Sequence, residues 1–265
     1  MKPSKKTTLW EIRREPGAQA SFVFGTMHVR NLDVVRRQKA VLERVLACDL
    51  FACEIDLDEK NALADPSVLF LPDELRISDL LPRKKYEKLR RVFAKTTGVD
   101  LDLAGRYKPV FLAQLLTEHL LKKDMPYALD EFLWHFAKQN GRQLRGIETL
   151  NEQLAVLEKI DLRFQTRSLA GMGKNVGALR KHLLKMTRIY LEGDIQRLYK
   201  SSKKGLGKMR KMMIYDRNEI MAARIGTLAE EQSLFAAIGA GHLAGKKGVL
   251  RLLKKAGWKV RPVRF

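Results

Sequence analysis

Apolar and polar positions along this chain follow two periods, and the switches between them mark out its elements. TLWEIRR and SFVFGTMH at the start are short runs rich in β-branched and aromatic residues. PGAQA separates them, a turn composition, so the pair predicts a β-hairpin. In NLDVVRRQKAVLERVLACDL the positions Val34, Val35, Ala40, Val41, Val45 and Leu46 recur at helical spacing. LFACEIDL returns to alternation, with Cys53, Ile55 and Leu57 on one strand face and Glu54 and Asp56 on the other.

The middle reads as helical. DELRISDLLPRKKYEKLRRVFAKTTG contains a helix closed by Gly98, KPVFLAQLLTEHLLKK is a strongly apolar helix, and ALDEFLWHFAKQNGR is another, ended near Gly141. Gln143 to Ile147 is a short apolar stretch that fits a strand. Thr149 with Glu152 has capping-box spacing and starts a helix directly after it. LRKHLLKMTRIYLEGDIQRLYK and KMMIYDRNEIMAARIGTLAEE continue the helical pattern. The closing segment splits into a strand (Leu234–Ile238), a turn, a helix (Lys246–Lys255) stopped by Gly257, and a last strand (Trp258–Val263).

Two of these strands end alike. FVFGTMH and AAIGAGH are both apolar runs followed by Gly-x-x-His. Each opens a strand, Gly-x-x-His, helix, strand unit of the kind that places its two strands in one parallel sheet. The expected fold is therefore α/β: a central mixed sheet built from the N- and C-terminal units, with a helical middle as a cap. The expected sheet core covers 7–60, 142–160 and 210–265, and the cap covers about 61–141 and 161–209, within one domain.

Composition bounds the rest. A chain of 265 residues with 45% apolar residues can build a sizeable core. No run approaches the roughly 18 apolar residues of a membrane span. The opening MKPSKKTTLWEIRRE lacks the apolar centre of a leader, so a cytoplasmic location is expected if the chain is native full length, and export if a leader was removed. Cys48 and Cys53 have no metal or redox spacing and read as reduced, buried residues. The net charge is +21 and uneven: residues 161–265 hold 24 lysines and arginines against 7 aspartates and glutamates. The densest run, Arg197–Lys211, is a candidate surface for an anionic partner. It lacks the interleaved aromatics that stack on bases, so nucleic-acid binding is not expected.

The candidate chemistry sits at the strand ends. Gly25, Gly239 and Gly241 give the backbone freedom to turn or to let a ligand or another backbone come close. His28 and His242 would then reach over the carboxyl ends of the sheet, where ligands of such sheets bind. Glu54 and Glu148 follow strands that would end at the same edge. Histidines with a carboxylate suit zinc, manganese or iron. Plain alternatives stand beside each reading. Glu54 fits a salt-bridged strand residue, Glu148 a charge at a helix N-terminus, and Asp216–Glu219 an ordinary helix start. In the sharper view Arg217 pairs with a carboxylate or binds an anionic substrate group. His119, His135 and His182 lie on helical patterns without paired carboxylates and read as surface or packing residues.

The pieces LWEI, FGTMH, CEIDL, GIETLNEQL, YLEGD, RNEIMAARI and IGAGHLAGKKGVLRLLKKAGWKV, in this order, resemble the TraB/GumN family, whose relatives include the Tiki proteases. That resemblance implies a metal-dependent hydrolase, first of all a peptidase, over a single domain of 1–265. It implies His28, His242 and Glu54 as ligands of a divalent metal (Mn²⁺, Co²⁺ or Zn²⁺). Glu54, Glu148, Arg217 and Asn218 would be catalytic, one glutamate as ligand and the other as base, in either order. Arg217, with Tyr190 of the YLEGD piece, would bind the peptide or small-molecule substrate. The rival from another class is a non-catalytic metal-, haem- or anion-binding protein on the same fold.

Overall fold

The computed structural model describes residues 6–36, 39–61, 65–121, 124–203 and 206–264. Arg37 and Gln38 of the first expected helix, Lys122 and Lys123 of the apolar one, and Lys204 and Gly205 of the basic run lie outside the described residues.

Six strands form: β1 (Leu9–Arg13), β2 (Ser21–Thr26), β3 (Leu50–Cys53), β4 (Gln143–Gly146), β5 (Leu234–Gly239) and β6 (Lys259–Pro262). They make one mixed sheet in the order β4-β3-β5-β2-β1-β6. The strands β4, β3, β5 and β2 run parallel, and β1 is antiparallel to β2 and β6. The two Gly-x-x-His units interleave: β5 of the last unit sits between β2 and β3 of the first.

Every residue of β2 and β3 is buried, and all of β5 except Gly239. This is what a parallel sheet covered on both faces requires. Alternation sends Phe22, Phe24, Phe51, Phe235 and Ala237 into one core, where Phe51 stacks on Phe235 with ring centroids 5.8 Å apart. Val23, Leu50, Ala52, Leu234, Ala236 and Ile238 enter the other. Leu129, Leu133, Trp134 and Ala137 of the helix Leu129–Gln139 pack on the phenylalanine side. Met221, Ala222 and Ile225 of Arg217–Glu231 and Val249, Leu250 and Leu253 of Val249–Lys255 pack on the aliphatic side.

Two local readings differ from the expectation. The third strand stops at Cys53, because beyond it the backbone leaves to meet the chain after β4: the Glu148 N–H donates to the Glu54 carbonyl at 2.7 Å. Where a turn was expected after β5, a short helix, Ala240–Leu243, forms instead. It lies against β2, and this defines the role of Gly25. A Cβ there would stand 2.6 Å from Leu243 Cδ1 and 3.0 Å from the Ala240 Cα, so the residue is small for close approach rather than for a turn.

The chain divides into two compact units. One comprises Met1–Asn61, Asp124–Gln153 and Met186–Phe265 and holds the whole sheet. The helix Leu129–Gln139, read from sequence as part of the helical middle, belongs to it. The other comprises Ala62–Lys123 and Leu154–Lys185. Its helices Arg83–Thr97, Pro109–His119 and Leu162–Lys174 enclose a separate core of Tyr86, Leu89, Phe93, Leu112, Leu116 and Leu169. Gly98 closes the first of them in the left-handed conformation, with φ 72°. No described helix is long and apolar enough to cross a membrane.

Candidate functional site

Four parallel strands end at one edge of the sheet, and each is followed closely by a polar residue of interest. Cys53 lies in register with Gly146 and with Ala237, and Thr26 with Gly239. Glu54 follows β3, Glu148 follows β4 by two residues, His242 follows β5 by three and His28 follows β2 by two.

Glu54 and Glu148 are joined by one guanidinium. Arg217, at the start of the helix Arg217–Glu231, donates from Nε to Glu148 at 3.0 and 3.1 Å and from Nη2 to Glu54 Oε2 at 2.7 Å. Gln153 Nε2 adds bonds to both carboxylates, at 3.4 Å to Glu54 and 3.2 Å to Glu148. The other oxygen of Glu54 accepts the Gly239 backbone N–H at 2.7 Å. A Cβ on Gly239 would reach that oxygen at 3.0 Å. Glu148 is only 4% exposed, so without the guanidinium its charge would be stranded. Burial pushes the Glu54 carboxyl up, but in acid, where His242 is protonated, that imidazolium together with Arg217 and the Gly239 N–H outweighs it and holds its pKa at about 2. Burial alone would lower Arg217; Glu148 and Glu54 reverse that and hold it above its ordinary value.

Next to this cluster, His242 Nδ1 lies 2.6 Å from Asn218 Oδ1. Asn218 is fully buried, and its Nδ2 donates to the Lys247 carbonyl at 2.6 Å. That second bond fixes which end of the amide faces the imidazole. An amide oxygen only accepts, so His242 carries its proton on Nδ1 and leaves Nε2 with a lone pair. Burial holds the imidazole below its ordinary pKa, against the pull of Glu54. The result is a neutral, oriented histidine beside an ionised carboxylate.

His28 has a different partner. Its Nδ1 lies 3.0 Å from both oxygens of Asp130, at the start of the helix Leu129–Gln139. Tyr190 is buried and its hydroxyl donates to the Gly25 carbonyl at 2.8 Å, so this polar atom is engaged with the backbone of β2. Gly241 lies against Ser202. Cys48 and Cys53 are free and buried, and burial pushes the Cys48 thiol up to about 12. His119 bonds the Leu115 carbonyl, and His135 packs on Tyr127.

A metal held by His28, His242 and Glu54 requires three converging donors. Among the described residues no group of three or more histidine, cysteine, aspartate or glutamate side chains is placed to hold a metal ion. Glu54 is engaged by the Arg217 guanidinium and the Gly239 N–H, and the Nδ1 of each histidine has a partner, Asp130 for His28 and Asn218 for His242.

Asp130 and Gln153 escape a reading of the sequence. Asp130 looks like an ordinary acid in a first helical turn, and Gln153 follows a capping box that accounts for its neighbours. Thr149 and Glu152 do form that box, with reciprocal bonds of 2.8 and 3.1 Å.

A family model described as TraB/PrgY/gumN matches residues 8–262. Among curated proteins, the metalloprotease TIKI1 of Homo sapiens is 26% identical over 95% of this chain and 61% of its own length. The metalloprotease TIKI2 of Danio rerio is 25% identical over 95% and 60%. The metalloprotease TIKI homolog of Nematostella vectensis is 24% identical over 97% and 67%. The chain thus spans about three-fifths to two-thirds of the length of these relatives. No solved structure matches it.

Proposed function

The chain belongs to the TraB/PrgY/gumN family, and from that premise we propose that it is a hydrolase of peptide bonds, centred on His242 at the carboxyl ends of β3, β4 and β5. One observation carries this reading: a neutral imidazole, held by Asn218 with its Nε2 lone pair available, beside the ionised Glu54. The names of the relatives, metalloproteases, supply the class of bond.

In this mechanism His242 Nε2 takes a proton from water as the oxygen attacks the scissile carbonyl. Positive charge then develops on the imidazole. The ionised Glu54, with Glu148 beside it and both held in place by Arg217, meets that charge without having to reorganise. Asn218 acts through His242 by fixing its tautomer. The protonated His242 then gives that proton to the departing amine. Among the described residues no group of three such donors is drawn together, so no step here is routed through the divalent cation that the relatives' names imply.

The test is hydrolysis of a peptide library by the purified protein and by H242A. Each is assayed with chelator and with Mn²⁺, Co²⁺ or Zn²⁺ added. Loss of turnover in H242A, with an unchanged circular dichroism spectrum, supports the assignment. Turnover equal to the parent protein under every condition overturns it. The second reading is a non-catalytic metal-, haem- or anion-binding regulatory protein using the same strand-end residues. It predicts ligand binding with no hydrolysis across the library.

A further inference from the structure

The helix that carries His242 has a cationic neighbour. The helix Ile195–Ser202 lies against Ala240–Leu243 so closely that a Cβ on Gly241 would meet Ser202 Oγ at 2.9 Å. One on Gly245 would meet the Tyr199 ring at 2.5 Å. The Tyr199 hydroxyl is 3.5 Å from that of Tyr215, which belongs to a π-helical turn, Lys211–Asp216.

Three cations surround this pair of phenols. Lys203 Nζ lies 4.6 Å from the centre of the Tyr199 ring, and Lys247 Nζ lies 5.2 Å from that of Tyr215. Arg210 directly precedes the π-helical turn, and its Nε is buried without a hydrogen-bond partner among the described residues. The bond with Tyr199 draws the Tyr215 phenol below its ordinary pKa, and Arg210 and Lys203 add to that pull.

Negative charge is scarce here. Asp216 is bound by Lys211 at 2.8 Å. Glu219 is 3.9 Å from Lys247, at the limit of an ion pair, and both side chains are half exposed. Among the described residues neither Lys203 nor Arg210 has a carboxylate partner. The cluster also borders the reacting centre, because Asn218 bonds both His242 and the backbone carbonyl of Lys247.

We propose that Lys203, Arg210 and Lys247, with the hydroxyls of Tyr199 and Tyr215, form an anion subsite beside His242 that takes the carboxylate of an acidic residue in the substrate peptide. Charged donors in this number suit a carboxylate, and the tyrosine rings hold the lysine ammoniums in place by cation–π attraction while leaving their N–H donors available. The inference rests on the peptidase reading for its substrate, though not for its anion chemistry.

Two measurements separate the two ideas. In the first, matched peptides differing only by Glu or Gln beside the cleaved bond are compared by kcat/KM. The Glu peptide is expected to be favoured about tenfold, a ratio typical of a charge-assisted hydrogen bond. That ratio should fall towards one in K203A/K247A and be reduced in Y215F. In the second, the H242A protein is titrated with fluorescent Glu and Gln peptides and with inorganic phosphate, at low and high salt. Preferential, salt-sensitive binding of the Glu peptide supports the subsite even if no hydrolysis is found. Hydrolysis without Glu/Gln discrimination, a Glu preference that persists in K203A/K247A, or binding of phosphate with no preference between the peptides overturns it.

Discussion

His242 is held by a residue that substrate cannot touch. Its Nδ1–H points at the side-chain oxygen of Asn218, 2.6 Å away, and Asn218 is fully buried with its amide nitrogen on the Lys247 carbonyl. On the proposed reading Asn218 is a positioning residue, and its replacement has a readable signature.

In N218A the imidazole loses its partner and the choice of tautomer is released. Expected is a fall in kcat of roughly 10–100-fold with little change in KM, the pattern of an interaction that serves the transition state. N218D separates orientation from charge. A carboxylate at this position favours the imidazolium, so the acidic limb of the pH–rate profile should move to higher pH. Steady-state kinetics of both variants between pH 5 and 9 check this. An unmoved limb in N218D removes His242 from the role of base.

Arg217 neutralises two carboxylates at once, one of them almost fully buried. R217M should lower the unfolding free energy by about 3–5 kcal/mol, the cost of leaving a buried ion unpaired. Adding E148Q should restore part of that loss. Urea unfolding of the two single variants and the double variant gives the coupling energy, and strict additivity would mean that the two side chains do not interact.

Acid should destabilise the protein through two groups acting in the same direction. Glu54 has its pKa held at about 2 against an ordinary 4.5, so its contribution is complete above 4.5 and is lost as pH falls towards 2. His242 is held below its ordinary 6.5. The unfolded chain binds that proton first, and stability begins to fall as pH drops through 6.5. Melting temperatures from pH 8 to pH 3 should decline in these two stages, and E54Q should remove the lower one.

Tyr190 gives the sharpest test of a structural against a substrate-binding role. Y190F leaves the Gly25 carbonyl without its 2.8 Å partner in a buried position. It should cost about 1–3 kcal/mol of stability. KM for a good peptide substrate should stay within about twofold. A large rise in KM with unchanged stability would reverse the assignment.

Much of this architecture is legible in the order of residues. Apolar runs ending in Gly25-x-x-His28 and Gly239-x-x-His242 announce strand ends, and parallel strands put Glu54, Glu148 and His242 at one edge. The partners are not legible. Nothing near His28 indicates that Asp130, 102 residues on, will face it. Nothing near Glu54 indicates that it and Glu148 will share Arg217. Such pairings are set by which helix start comes to lie over which strand end, a matter of tertiary packing that local periodicity does not encode. The strand LFACEIDL shows the same limit: its alternation continues past Cys53, but the chain turns away to pair with the segment after β4.

The place of β5 between β2 and β3 also has a bearing on biosynthesis. During translation the first hairpin and β3 leave the ribosome early, yet the strand that must separate them is made only after residue 233. Until then β2 and β3 have exposed edges and no correct neighbour. The nascent chain must hold that gap open against premature pairing, so chaperone demand should be greatest late in synthesis, just before the final segment arrives.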